Sequence, residues 1–187
     1  MFTCPTLETE RLILRPFEER DVDAYTETLQ SDIVRYSLRL PDTVGRYEAW
    51  LSMAQMLGQW ALRNTGNWAL ERKTDGAFVG RAGPFRPERA DWPGIEVGWT
   101  LHPDFHGQGY ATEAGRAALA VAFDQAGYDE VWSLTATVNG PSRAVMERLG
   151  LRHVATQPHP ALDPASPISE HVFYRLTRAD YRAASGG

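Results

Sequence analysis

Cysteine is nearly absent: Cys4 is the only one in 187 residues, so no internal disulfide can form and no thiolate-rich metal cluster can assemble. Positive charge is not in excess either, since 19 Lys and Arg stand against 24 Asp and Glu, giving a formal charge of −5. Non-specific nucleic-acid affinity comes from many cations set against phosphates, so this balance argues against a general polyanion binder. No apolar stretch approaches the ~20 residues that a spanning helix requires. The segment from Met1 to Leu14 carries Glu8, Glu10 and Arg11 among its apolar residues, which is the wrong order for a basic-then-apolar export signal. His102, His153, His159 and His171 are scattered, with no ligand pair at i, i+4. These absences lead us to expect a cytoplasmic protein without metal, membrane or nucleic-acid partners.

What is present suits one folded domain covering residues 1–187. The hydrophobic fraction is 43% and the charged fraction 23%, close to ordinary soluble domains. Residues 11–16 read as a strand closed by Pro16, followed from Asp21 to about Leu29 by a short amphipathic helix. Between Val44 and Arg63, the residues Tyr47, Trp50, Leu51, Ala54, Leu57 and Ala61 recur at helical spacing and predict one apolar face. Asn67 to Glu71 and Ala77 to Arg81 read as strands around an Asp75-Gly76 turn, and Pro84 to Gly94 as a loop. Ile95 to Leu101 is a strand whose internal Gly98 suggests a bulge. A helix from about Gly109 to Gln125, a strand from Glu130 to Thr137 and a helix from about Pro141 to Leu149 follow. The last predicted strands, Arg152 to Thr156 and His171 to Leu176, flank a proline-rich loop at Pro158 to Pro167.

The run His106-Gly107-Gln108-Gly109-Tyr110-Ala111 places small residues where a strand gives way to a helix. A helix start offers unpaired N–H groups and the positive end of a dipole, and small residues let a bulky anion approach them. No Lys follows as a Walker loop requires, and Thr112 stands where a dinucleotide fingerprint ends in a third small residue. An isolated G-x-G more often only makes a tight turn.

Further segments change that balance. The loop resembles the Gln/Arg-x-x-Gly-x-Gly/Ala acetyl-CoA signature of GNAT acetyltransferases, and Gly107-Gln108-Gly109-Tyr110-Ala111-Thr112-Glu113-Ala114 resembles their RimJ/RimL branch. Residues 8–15 (Glu-Thr-Glu-Arg-Leu-Ile-Leu-Arg), Gly80 in the third predicted strand, Ile95 to Leu101 and Asn139 to Leu151 fall in the matching order, from near Thr6 to near Thr177. The resemblance implies an α/β (α+β) GNAT acyltransferase fold, a mixed and mostly antiparallel sheet of six to seven strands flanked by helices, with splayed central strands. It implies acetyl-CoA as cosubstrate, a primary amine as acceptor, no metal, and a homodimer as an allowed assembly. The alternative function is a non-catalytic acyl-CoA-binding or sensing module.

Carried onto this chain, the resemblance puts Trp99, Thr100, Leu101, His106, Gly107, Gln108, Gly109, Tyr110, Ala111, Asn139 and Ser142 at the cofactor, with an N–H of the expected bulge polarising the acetyl carbonyl. His106 departs from the usual Gln or Arg. Met146 stands where many relatives have a proton-donating Tyr, which leaves Ser142 as the candidate for stabilising the departing sulfur. Glu96 is the candidate general base, against the plainer reading of a solvent-facing strand residue. Asn139 and Ser142 also fit a turn and helix cap, and Glu113 fits a helix-start carboxylate stabilising the dipole. Arg148 reads as solvent-facing. Cys4 reads as a poor nucleophile at a chain end expected to be flexible. Trp50, Trp60, Trp68 and Trp99 wall an acceptor pocket or fill the core, Trp50 and Trp60 being the two to test.

Overall fold

The computed structural model describes residues 4–38, 43–88, 92–159, 162 and 169–185, so most of the proline-rich loop lies outside the described residues. The chain begins with β1 (Leu7–Glu8) and β2 (Leu12–Arg15), then α1 (Val22–Gln30), α2 (Asp32–Leu38) and α3 (Arg46–Arg63). Next come β3 (Trp68–Arg72), β4 (Phe78–Phe85), β5 (Glu96–Leu101), α4 (Tyr110–Ala120) and β6 (Glu130–Ala136). It closes with α5 (Gly140–Arg148), β7 (Arg152–Pro158), β8 (Glu170–Thr177) and α6 (Arg178–Ser185). The strands form one sheet in the order β1-β2-β3-β4-β5-β6-β8-β7. Every neighbouring pair is antiparallel except β5 with β6. This is the mixed, mostly antiparallel sheet anticipated. The eighth strand is β1, two residues long and too short to leave a pattern, and its presence makes Gly80 part of the fourth strand.

Strand alternation separates two cores. Trp68 and Leu70 of β3 join one cluster with β5, α4 and β6, while Ala69 joins a second with α1 and α3, so helices cover both faces. Val22, Tyr25 and Leu29 recur at helical spacing and turn α1 toward the second core. At the N-terminal edge Arg15 is buried and answered by Asp21 at 2.7 Å and Glu71 at 2.7 Å, which ties β2 to β3 and to the start of α1. Burial alone would weaken the guanidinium's charge, but the hydrogen bonds to Asp21 and Glu71 outweigh it and keep the proton on.

Several expectations are corrected. The helical period of α3 is right but its phase is not: Ala49, Met53, Met56 and Trp60 are buried, whereas Tyr47 and Trp50 are 68% and 47% exposed. Both stripes are apolar, and tertiary contacts decide between them, Trp60 packing on Trp68 with ring centroids 4.7 Å apart and donating its indole N–H to Asn67 O. Trp60 and Trp68 are therefore core residues. β4 continues through Pro84 because β3 stops pairing at Trp68 opposite Ala82, so the missing proline N–H costs no ladder bond. The helix expected to run to Gln125 is α-helical only to Ala120 and then opens into a π-helical turn over Val121–Gln125. The bulge expected at Gly98 and Trp99 is absent from the β4–β5 ladder, which pairs six consecutive residues without a shift. Shifts fall instead in the β3–β4 ladder, between Leu70 and Glu71, and in the β7–β8 ladder, between His153 and Ala155. Cys4 is not loosely held but packs in the first core. No helix among the described residues is long and apolar enough to cross a membrane.

Candidate active site

The parallel strands β5 and β6 pair at one register position only, Glu96 with Trp132, where Trp132 N–H donates to Ile95 O at 2.9 Å. Beyond it they diverge. His102 N–H donates to Val79 O at 2.9 Å, and hydrogen-bonded pairs in an antiparallel ladder recur every second residue. Thr100, Gly98 and Glu96 therefore turn their backbone groups toward β4, whereas Val97, Trp99 and Leu101 turn theirs toward the opening. The opening needs no bulge: a straight strand whose parallel neighbour leaves exposes alternate N–H and C=O groups. Trp99 and Leu101 of the expected cofactor residues belong to this edge, and Thr100 does not.

At the end of β5 a short 3₁₀ turn over Pro103–Phe105 leads into the glycine loop. Gly107 and Gly109 have φ of +72° and +86°, a region that favours glycine, and Gly109 caps α4. The first intrahelical bond of α4 is Glu113 N–H to Gly109 O, which leaves the N–H groups of Tyr110, Ala111 and Thr112 without helical acceptors. These donors border a cleft of about 590 Å³ lined by Leu101, Gly107, Gly109, Tyr110, Ala111 and Thr112, with Pro141, Ala144, Val145 and Arg148 of α5 opposite. Arg148 is exposed, as read, and also forms part of that wall. Neither Arg116 nor Arg148, both in the lining, forms an ion pair among the described residues.

His106 Nε2 lies 3.0 Å from Leu101 O, so the ring staples the loop back onto β5. Gln108 is exposed, and its amide donates to Asp104 O at 2.7 Å. Arg11, to which the sequence reading assigned no role, donates through NH1 to Gln108 O at 2.9 Å, and its guanidinium lies over the Tyr110 ring. Glu113 is more than a dipole partner: it accepts from Thr9 Oγ1 at 2.6 Å and from Arg11 N–H and Nε at 2.7 Å each. Burial would raise its pKa, but these hydrogen bonds win and hold the carboxyl below the usual range. The residues Glu-Thr-Glu-Arg near the start and Gly-Tyr-Ala-Thr-Glu after the loop are distant in sequence, so only the fold reveals the pairing.

Asn139 caps α5, its Oδ1 accepting the Ser142 N–H at 3.2 Å, and both side chains are half-buried. Met146 is buried in the core and has no proton to give. Glu96 is 8% exposed, on the face of β5 opposite Val97 and Leu101, with its carboxylate beside Gly98, so it is not the solvent-facing residue of the plainer reading. Glu96, Asn139 and Ser142 lie outside the cleft lining, Glu96 at the one position where β5 and β6 pair, Asn139 and Ser142 just past the end of β6. Burial pushes the Cys4 thiol up to about 12, which keeps it protonated and inert as a nucleophile. No group of three or more His, Cys, Asp or Glu among the described residues is arranged to hold a metal.

A sheet parted between two parallel strands, with a glycine loop and helix start at the end of the first, offers free backbone donors to an extended, phosphorylated ligand. The chain belongs to the GNAT family: the acetyltransferase (GNAT) domain pattern matches residues 11–152. It is 30% identical over 199 aligned positions to the FsC-acetyl coenzyme A-N(2)-transacetylase of Aspergillus fumigatus, covering 95% of this chain and 78% of that protein. An acetyltransferase structure from Agrobacterium tumefaciens superposes with TM-score 0.76 at 28% identity, covering 94% and 96% of the two chains. The ribosomal-protein-S5-alanine acetyltransferase of Vibrio fischeri shares the fold, with TM-score 0.74 at 13% identity over 95% and 99%. The protein is thus an acetyl-CoA-dependent acyltransferase with the GNAT fold. The free N–H groups at α4, and Arg116 and Arg148 with no ion pair among the described residues, suit a phosphorylated cofactor.

Proposed function

We propose that this protein is a RimJ/RimL-type N-acetyltransferase that acetylates a primary amine, either a protein N-terminal α-amine or a small-molecule amine, by direct attack within a ternary complex. The observation that carries the reading is the opening between β5 and β6: the strands pair only at Glu96 with Trp132, and the cleft lined by Leu101 and the start of α4 lies beyond that point. Acetyl-CoA supplies an activated acyl group that a free amine attacks directly, so no covalent acyl-enzyme is required.

Glu96 accepts the proton that the alkylammonium must lose before its lone pair can attack the carbonyl carbon. As the C–N bond forms and the C–S bond breaks, backbone N–H groups on the open edge at Trp99 and Leu101 stabilise charge on the carbonyl oxygen. Ser142 donates toward the departing thiolate, directly or through water, and Asn139 holds the helix start that carries Ser142. The loop from His106 through Ala111 binds the pyrophosphate. The relative from Aspergillus fumigatus is named for an N(2)-transacetylation, which supports nitrogen as the acceptor atom.

The test is release of free thiol from acetyl-CoA against a panel of N-terminal peptides and small amines. It compares the unaltered protein with Asn139→Ala, Ser142→Ala and Glu96→Gln. Acceptor-dependent release that falls in the variants supports the reading and names the acceptor class. Binding of acetyl-CoA with no release from any acceptor overturns it in favour of a sensing module.

A further inference from the structure

Arg11 stands 97 residues before the loop it touches. The loop residues His106, Gly107, Gln108 and Gly109 are all exposed, so packing does not hold their backbone. Besides the backbone bonds from His106 N–H to Pro103 O and from Glu113 N–H to Gly109 O, side-chain hydrogen bonds do. Arg11 makes the long-range one, and all three of its guanidinium nitrogens are committed: NH1 to Gln108 O at 2.9 Å, and Nε and NH2 to Glu113 at 2.7 Å each. Its ring support from Tyr110 and the anchoring of Glu113 on Thr9 at 2.6 Å complete a closed set spanning the segment before β2, the loop and the first turn of α4.

We infer that Arg11 is a positioning residue for the cofactor loop, a strut that sets the orientation of the Gln108–Gly109 peptide relative to the start of α4. The inference rests on the loop being the pyrophosphate cradle proposed above. In a trans peptide the C=O and the following N–H point in opposite directions, so holding Gln108 O on Arg11 also fixes where the Gly109 N–H aims. Glu113 cancels the charge of Arg11 locally. Arg116 and Arg148, with no ion pair among the described residues, are the cleft's free cations, and Arg11 differs from them in being spent on geometry. A donor aimed in advance avoids the ordering cost that binding would otherwise incur.

The experiment titrates acetyl-CoA calorimetrically into the unaltered protein, Arg11→Lys, Arg11→Gln and Glu113→Gln. Pantetheine, which lacks the pyrophosphate, is measured on the same proteins by displacement, and thermal melts confirm that each is folded. The dissociation constant for acetyl-CoA rises about tenfold in all three variants, the loss of one good charge-assisted contact, while that for pantetheine stays within about twofold. Arg11→Lys is the informative variant, because it keeps the charge but cannot bridge a carbonyl and a carboxylate together, and it stands in if Arg11→Gln does not fold. Full affinity in Arg11→Lys overturns the strut in favour of a simple charge. Equal weakening of pantetheine overturns it in favour of general damage, as does unchanged acetyl-CoA binding in every variant. If the unaltered protein does not bind acetyl-CoA, the cofactor reading falls as well; if it binds and the variants match it, only the strut falls.

Discussion

Gly80→Ala is expected to damage both stability and cofactor binding. A Cβ at this position would lie 2.3 Å from Thr100 O and 2.7 Å from Leu101 Cα, both backbone atoms of β5, and φ is +143°. Neither contact can be relieved by rotating a side chain. Strain in a glycine-only backbone region costs about 1–3 kcal/mol, and inserting a methyl group into a packed ladder about 1–3 kcal/mol more. A combined loss of about 4 kcal/mol lowers the midpoint of a domain this size by about 8–16 °C. The strand that must move carries Leu101, whose carbonyl meets His106, so the Michaelis constant for acetyl-CoA rises too. Gly107→Ala is the control: its φ is +72° but nothing lies within 4 Å of the added Cβ. It carries backbone strain alone, about 1 kcal/mol or 2–4 °C. Thermal melts of the two variants, run beside urea titrations, measure the difference. Equal losses in both, or a loss below about 1 kcal/mol for Gly80→Ala, would refute the claim that contact with β5 sets the cost.

Asn139→Ala loses the cap on Ser142 N–H and costs about 1 kcal/mol of stability, whereas Asn139→Asp keeps the cap by urea titration. If turnover also falls in Asn139→Asp, the side-chain amide donor contributes beyond capping. The Glu113 carboxyl is held below its ordinary pKa of 4.5, so its stabilisation is present above that value and lost as pH falls through the lowered one. Glu113→Gln is therefore less stable than the unaltered protein at neutral pH, and the gap narrows below about pH 4 when melts are compared across pH. Cys4 is buried and protonated, and it reacts with a thiol reagent in the unfolded protein but not in the native one over the same period.

The fold was legible where pattern and chemistry repeat locally. Seven of the eight strands left a signal, as did the turn at Asp75-Gly76 and the loop from His106 to Ala111. The short elements were not legible: β1 has two residues, and α2 and α6 have seven and eight, too few for an apolar period to stand out. The phase of α3 was misread because both its stripes are apolar, and only the sheet beneath determines which is covered. In the site, the roles of Asn139 as cap and of the glycines as loop were readable, because capping and positive φ depend on neighbours in the chain.

The sequence by itself determined the family, the loop that begins α4 and the residue types available for chemistry, since these lie in contiguous segments. Tertiary structure decided the rest. The opening beside β5 comes from the departure of β6 rather than from a bulge, the burial of Glu96 from the layers around it, and the grip of Arg11 and Glu113 on the loop from a contact spanning 102 residues. Local composition dictates backbone conformation, but which groups meet, and which are left facing a gap, depends on how distant strands and helices pack.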